Sequence, residues 1–207
     1  MILIGQYDSP FVRRVGIALT LYDLPFEHRP WSVFGDTEKI RPYNPLVRVP
    51  TLVLDDGEAL IESHSILDYL DSLVPAGRAM FPPTEPARHR ALKIAALATG
   101  MAEKTVSLFY EKRLHKEVSS IWVDRCRGQI SAVLAALEAS RADKGEGYWF
   151  GRIGHADIAV GVALRFLAEA HPGLVSMADY PRLRAHAARL EALPAFQAIT
   201  QPFLPSA

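Results

Sequence analysis

The sequence predicts two units, an α/β domain over residues 1–76 and an all-α domain over 86–207. Three observations predict it. Up to Leu73 the apolar residues alternate between short strand-like runs and helical spacing. Val74 to Pro86 then breaks the pattern with Pro75, Gly77, Pro82, Pro83 and Pro86, which marks a domain boundary. Every apolar stripe after the break has the helical period.

In the first unit, Met1 to Gln6 reads as a strand. From Pro10 the spacing of Val12, Val15, Leu19 and Tyr22 is that of one helix face, and Leu24-Pro25 ends the helix. Phe26 to Trp31 reads as a second strand, so strand, helix and strand fit a βαβ unit with parallel pairing. Residues 32–48 read as an irregular connector rich in charge. Thr51 to Leu54 and Glu58 to Ile61 flank Asp55-Asp56-Gly57, a hairpin signal. Ser63 to Leu73 is helical, with Ile66, Leu67 and Leu70 inward. The order β-α-β, connector, β-β-α is the thioredoxin-like order.

In the second unit, Ile94, Leu97, Met101 and Leu108 share a face of one long helix, and Trp122, Cys126, Ile130, Val133 and Leu137 form the stripe of the next. A third helix begins near His155 and carries Ile158, Val162, Phe166 and Leu167, with shorter helices over roughly 181–200. Gly154-His155-Ala156-Asp157-Ile158 reads as a structural helix start, with Asp157 at the third helical position and Ile153 and Ile158 placed as a staple.

Composition narrows the function. The 207 residues are 49% hydrophobic and 22% charged, with 23 basic and 23 acidic side chains. No field of one sign draws in nucleic acid or anionic lipid, so a small or neutral partner is expected. The single cysteine, Cys126, excludes an internal disulfide and fits a reducing compartment. The start lacks a basic region followed by a long apolar run, no stretch is long enough to span a bilayer, and the expected location is cytoplasmic.

Three short segments carry chemistry. Ser9-Pro10 sits at a strand-to-helix junction, where serine caps free amides and proline suits the first turn. The same geometry serves catalysis, because a helix N-terminus stabilises a thiolate and a hydroxyl donates to its sulfur. Val49-Pro50 precedes a strand. It is either an ordinary strand start or, with a cis bond, a backbone clamp for an extended peptide. Glu62-Ser63 opens a helix. Ser63 is either a plain cap or a carboxylate site, with Glu62 beside it for an ammonium. A γ-glutamyl group carries both charges on one carbon. No metal-ligand pattern is present.

Taken together, YDSPFVRRV at 7–15, NPLVRVPTL at 44–52, LIESHSILDYL at 60–70, GHADIAVGVAL at 154–164 and YPRLRAHAARLEALPAF at 180–196 resemble the glutathione transferases. The match is to bacterial-type chains with serine near the N-terminus. The resemblance runs over nearly the whole chain. It implies a thioredoxin-like glutathione-binding domain and a helical second-substrate domain. It implies glutathione as co-substrate, with no metal, and conjugation to a small, hydrophobic electrophile, the chemistry of detoxification. Ser9 is implied as the residue activating the sulfur, with Tyr7 as a rival hydroxyl. Arg48, Val49 and Pro50 are implied at the glycyl and cysteinyl parts, and Glu62 and Ser63 at the γ-glutamyl end. By position, Phe11, Met101, Thr105, Tyr110 and Phe166 are candidates for the second-substrate pocket. A homodimer is implied as well. The chain departs from the family pattern at Gly154, where a hydroxyl residue is usual, and at Thr99-Gly100, where an acid-glycine pair is common. The alternative is a protein of the same fold that docks without catalysis. A redox reading lacks its cysteine at the 7–11 turn.

Overall fold

The computed structural model describes residues 1–203, so the last four residues of the expected 86–207 unit lie outside the described residues. The first strand, β1 (Ile2–Ile4), leads through Ser9 into α1 (Pro10–Leu21), and β2 (Glu27–Arg29) follows. Then come α2 (Thr37–Ile40), β3 (Thr51–Val53), β4 (Ala59–Ile61) and α3 (Ser63–Ser72). The sheet order is β2-β1-β3-β4, with β1 parallel to β2 and antiparallel to β3. β3 and β4 form the hairpin, with Leu52 opposite Leu60. The helical part consists of α4 (Ala87–Leu114), α5 (Ser120–Ser140), α6 (His155–Ala170), α7 (Pro181–Glu191) and α8 (Pro194–Ala198). A 3-10 turn, Met177–Asp179, precedes α7.

One element was not expected. The connector 32–48 contains α2, a single turn whose apolar residue, Ile40, is fully buried against Ile4 and Val53. Four residues are too few for a helical period to register in sequence. The strands are also shorter than the apolar runs suggest, because only three residues of each meet a ladder partner.

Two cores are built from the predicted stripes. Val12, Val15 and Leu19 of α1 join Ile66, Leu67 and Leu70 of α3, and the same cluster continues into Ile158 and Val162 of α6 and Phe196 of α8. The second core lies between α4, α5 and α6 and includes Met101, Cys126, Ile130 and Leu164. The apolar sheet side and the helical part are thus joined through α6. Polar anchors fix the join. Arg13 donates to both oxygens of Glu191 at 2.6 and 2.7 Å and to the Ile199 and Phe196 carbonyls. Asp71 accepts from His155 Nε2 at 2.7 Å, from the Phe81 amide at 2.9 Å and from the Tyr22 hydroxyl.

The departure at Gly154 has a steric reason. A Cβ there would stand 2.6 Å from the Met80 carbonyl oxygen, so the start of α6 can approach the 74–86 segment only without a side chain. Asp157 provides the reciprocal half of a capping box, accepting from the Gly154 amide at 3.0 Å and from the Trp149 amide at 3.3 Å while fully buried. Burial pushes the Cys126 thiol up, and Cys126 is 0% exposed, which suits an inert core residue.

Candidate functional site

The site forms where the N-terminal ends of α1 and α3 and the turn before β3 meet the middle of α4. Ser9 is the N-cap of α1, in extended conformation, with Pro10 at the first helical position. Its hydroxyl accepts from the Val12 amide at 3.5 Å, the outer limit of a hydrogen bond. The cap is therefore weak, and the Ser9 side chain opens into a cavity of about 680 Å³. Asp8 lies beside it, its carboxyl pushed above the usual range, first by burial.

Tyr7 goes elsewhere. Its ring stacks on His28 with centroids 3.8 Å apart, and it packs with the core of the first unit rather than lining the cavity. Burial pushes its phenol up to about 12.

The Val49–Pro50 bond is cis. Val47, just before it, has φ 51°, held by a turn in which the Val47 amide donates to the Asn44 carbonyl at 2.9 Å. Asn44, itself buried, braces the turn through Nδ2, which donates to the Arg48 carbonyl at 2.9 Å. Val49 and Pro50 border a narrow cleft together with Arg48, Glu62, Ser63 and Thr99. Glu62 stands at φ 66°, ψ 120°, a backbone region that favours glycine, and this conformation places its carboxylate at the cleft mouth. Glu62 Oε1 lies 3.1 Å from Arg48 Nη1. Ser63 is 4% exposed and receives a hydrogen bond from Arg14 Nη1 at 3.4 Å.

Arg48, Val49 and Phe11 line both the narrow cleft and the large cavity, so the two form one continuous site. The far wall of the cavity is apolar, with Phe34, Val106, Phe109, Tyr110, Phe166 and Phe203. Of the five pocket candidates, Phe11, Tyr110 and Phe166 are there. Met101 and Thr105 are not. Both are 0% exposed, and the Thr105 hydroxyl donates to the Met101 carbonyl inside the helix. The physical reason is rotation along α4: Met101, Thr105 and Leu108 lie on the face turned to the core, whereas Val106, Phe109 and Tyr110 share the neighbouring face.

Three site residues escaped the sequence reading. Arg14 lies on a helix face otherwise apolar, where a cation carries no motif signal. Thr99 stands 3.1 Å from His64, and Glu103 one turn on brings an acid from α4 to the cleft edge. The acid sought in the usual acid-glycine pair is thus displaced by four residues, a step the helix period makes visible only once the cleft is known. Among the described residues no group of three or more His, Cys, Asp or Glu side chains could hold a metal ion. No helix among them is long and apolar enough to cross a membrane.

Comparison with known proteins places this geometry in a family. Residues 3–79 match the model of the glutathione S-transferase N-terminal domain, and residues 121–189 match that of the C-terminal domain. A maleylacetoacetate isomerase of Pseudomonas aeruginosa is 32% identical over 222 aligned positions covering all of both chains. The uncharacterized GST-like protein YibF of Escherichia coli is 34% identical over 146 residues, covering 69% of this chain and 71% of its own. Among solved structures, a glutathione S-transferase of Methylobacterium radiotolerans in complex with glutathione sulfonate superposes with a TM-score of 0.90 at 28% identity, covering 100% of this chain and 98% of that one. A glutathione transferase family member of Pseudomonas fluorescens with bound glutathione gives 0.87 at 31% identity, covering 98% and 99%. With both domain models matched and a full-length relative at this identity, the chain belongs to the glutathione S-transferase family.

Proposed function

We propose that this protein binds glutathione in the narrow cleft and transfers it to a small uncharged electrophile held in the large cavity. The observation that carries the reading is the continuity of the two spaces, with Ser9 opening into the cavity and Arg48 and Val49 shared by both walls. The Val49 backbone, ahead of its cis bond to Pro50, would pair with the cysteinyl part, as an added strand does. The γ-glutamyl end would meet Glu62 and Ser63, with its carboxylate at the start of α3. Arg48 would serve the glycyl carboxylate.

At that position the sulfur lies before the N-terminus of α1. The Ser9 hydroxyl and the helix dipole favour its thiolate, where an ordinary thiol with a pKa of ~8.5 is mostly protonated. The thiolate attacks the electrophilic carbon, a carbon–sulfur bond forms, and the leaving group departs with its electron pair. Substrate class follows from the wall. Its aromatic side chains suit an apolar ring or chain, and its charged members, Asp8 and Arg48, have opposite signs. Their charges offset one another, so the wall as a whole suits an uncharged electrophile.

Retention on immobilised glutathione followed by turnover of 1-chloro-2,4-dinitrobenzene tests the reading. Retention with turnover is expected. Retention without turnover on any of a panel of aryl halides, enones and epoxides would favour the docking alternative, and failure to bind glutathione would overturn both. We also propose a homodimer, which light scattering at micromolar concentration decides.

A further inference from the structure

Among the described residues the wall of the large cavity holds one acid, Asp8, and one cation, Arg48. The two are not equivalent. Arg48 also borders the narrow cleft and has Glu62 3.1 Å away. Asp8 borders only the larger of the two spaces and is partly buried. It has no ion-pair partner among the described residues. Burial and the charge of Glu169 raise its carboxyl, and only the main-chain amides of Ser9 and of Asp8 itself act the other way. Glu169 is itself held by Arg165 at 2.8 Å.

Aromatic side chains share the cavity with this acid. Phe203 meets Phe109 and Phe166 edge to face, with ring centroids 5.3 and 5.6 Å away, and all three line the wall. Tyr110 of α4 lines it too, and after burial the Asp8 charge is a cause that raises the Tyr110 phenol. The field of Asp8 thus reaches from the turn before α1 to α4. An ionised carboxylate accepts about four hydrogen bonds and donates none. Two amides leave part of that capacity open to the cavity. A purely apolar ligand strips water from the carboxylate and returns nothing, whereas a ligand with an N–H or O–H group restores the bond.

We propose that Asp8 is a specificity-determining residue that accepts a hydrogen bond from the second substrate, so that the preferred electrophiles are uncharged, apolar in bulk and equipped with one N–H or O–H donor. The proposal rests on the reading of the large cavity as the electrophile site. It assigns the unpaired acid a ligand-side purpose. The competing role is internal. Asp8 immediately precedes the cap of α1, and an acid there suits the helix dipole with no bearing on the substrate.

Three uncharged aryl chlorides separate these roles: 4-chloro-3,5-dinitrobenzamide, its N,N-dimethyl derivative and methyl 4-chloro-3,5-dinitrobenzoate. In each, the thiolate forms a carbon–sulfur bond at the same ring carbon and chloride leaves with its electron pair. All three keep a carbonyl acceptor, and only the primary amide has N–H donors. For each, kcat/KM is divided by the uncatalysed rate constant with glutathione. Wild type should favour the primary amide over both others by at least ~10-fold. Asp8→Ala should bring that ratio to within about twofold, and Asp8→Asn, whose carbonyl still accepts, should keep part of it. A role in the helix alone predicts equal losses on all three, and an unchanged ratio in Asp8→Ala overturns the proposal. Should Asp8→Ala not fold, wild type decides, because equal efficiency on the three chlorides overturns the proposal while turnover itself upholds the proposed function. No turnover of these three or of 1-chloro-2,4-dinitrobenzene overturns the proposed function and this inference with it.

Discussion

Arg48 Nη1 and Glu62 Oε1 stand 3.1 Å apart across the cleft mouth, so the two charged groups expected to grip opposite ends of a tripeptide are paired with each other. Both side chains are about half exposed, at 57% and 53%, and a pair this wet contributes little to stability. On the proposed reading, a ligand ammonium at Glu62 would have to displace Arg48.

The backbone of Glu62 carries the cost of that placement. At φ 66° a side chain is strained by ~1–3 kcal/mol. Glu62→Gly should therefore raise the stability of the protein by about 1 kcal/mol while weakening glutathione binding at least tenfold. Glu62→Ala should weaken binding equally with no gain in stability. Thermal unfolding beside calorimetric titration checks both, and a less stable Glu62→Gly would show that the carboxylate is structural.

Ser9 and Tyr7 divide by placement. Ser9→Ala should raise the pKa of the bound thiol by about one unit, corresponding to roughly 1.4 kcal/mol, and cut turnover to match. Its stability loss should stay under ~1 kcal/mol, because the cap bond to Val12 is already at 3.5 Å. Tyr7→Phe should leave the thiol titration unmoved, since the phenol ring is stacked on His28 outside the cavity. Thiolate absorbance against pH distinguishes the two, and a shift in Tyr7→Phe alone would transfer the role.

The wall of α4 gives a paired test. Phe109→Ala should raise KM for an apolar electrophile several-fold with stability reduced modestly. Met101→Ala should leave KM in place and cost about 2–4 kcal/mol, the range for emptying a fully buried site. Steady-state kinetics and chemical denaturation of both variants decide whether the two faces of α4 are separated as described.

Acid should begin to destabilise this protein as pH falls below the ordinary histidine value. His155, His171 and His186 are all buried and pushed below the ordinary histidine value, in each case first by burial. A group whose folded pKa is lowered stabilises the fold above its unfolded pKa, here ~6.5, and that stability is lost as pH falls below it. Denaturant midpoints should therefore drop between about pH 6.5 and pH 5. A flat profile over that range would mean that the three rings are already accommodated as cations.

Much of this architecture is legible in sequence because its signals are local. Pro10 after Ser9, the Asp55-Asp56-Gly57 turn and the stripe from Val12 to Leu19 each declare an element within a few residues. What escaped depends on distant contact. Arg14 looks like one more basic residue until Ser63, 49 positions on, closes over it. Met101 and Tyr110 read as equivalent pocket candidates on one helix, and only the packing of that helix decides which faces the core and which the cavity. Gly154 reads as a poor cap until the Met80 carbonyl is found where its side chain would be.

The apolar cluster that runs from α1 and α3 into α6 and α8 has a consequence for biosynthesis. A nascent chain leaves the ribosome from its N-terminus, so Val12, Val15 and Leu19 emerge long before Ile158, Val162 and Phe196 exist to cover them. The sheet with its first helices can pair early, but its outer apolar surface waits for more than half of translation to be completed. During that interval the chain offers a sticky face to chaperones and to other nascent copies. Slow decoding between the third and sixth helices should accordingly lower the soluble yield, while the same delay placed after the eighth should have no effect.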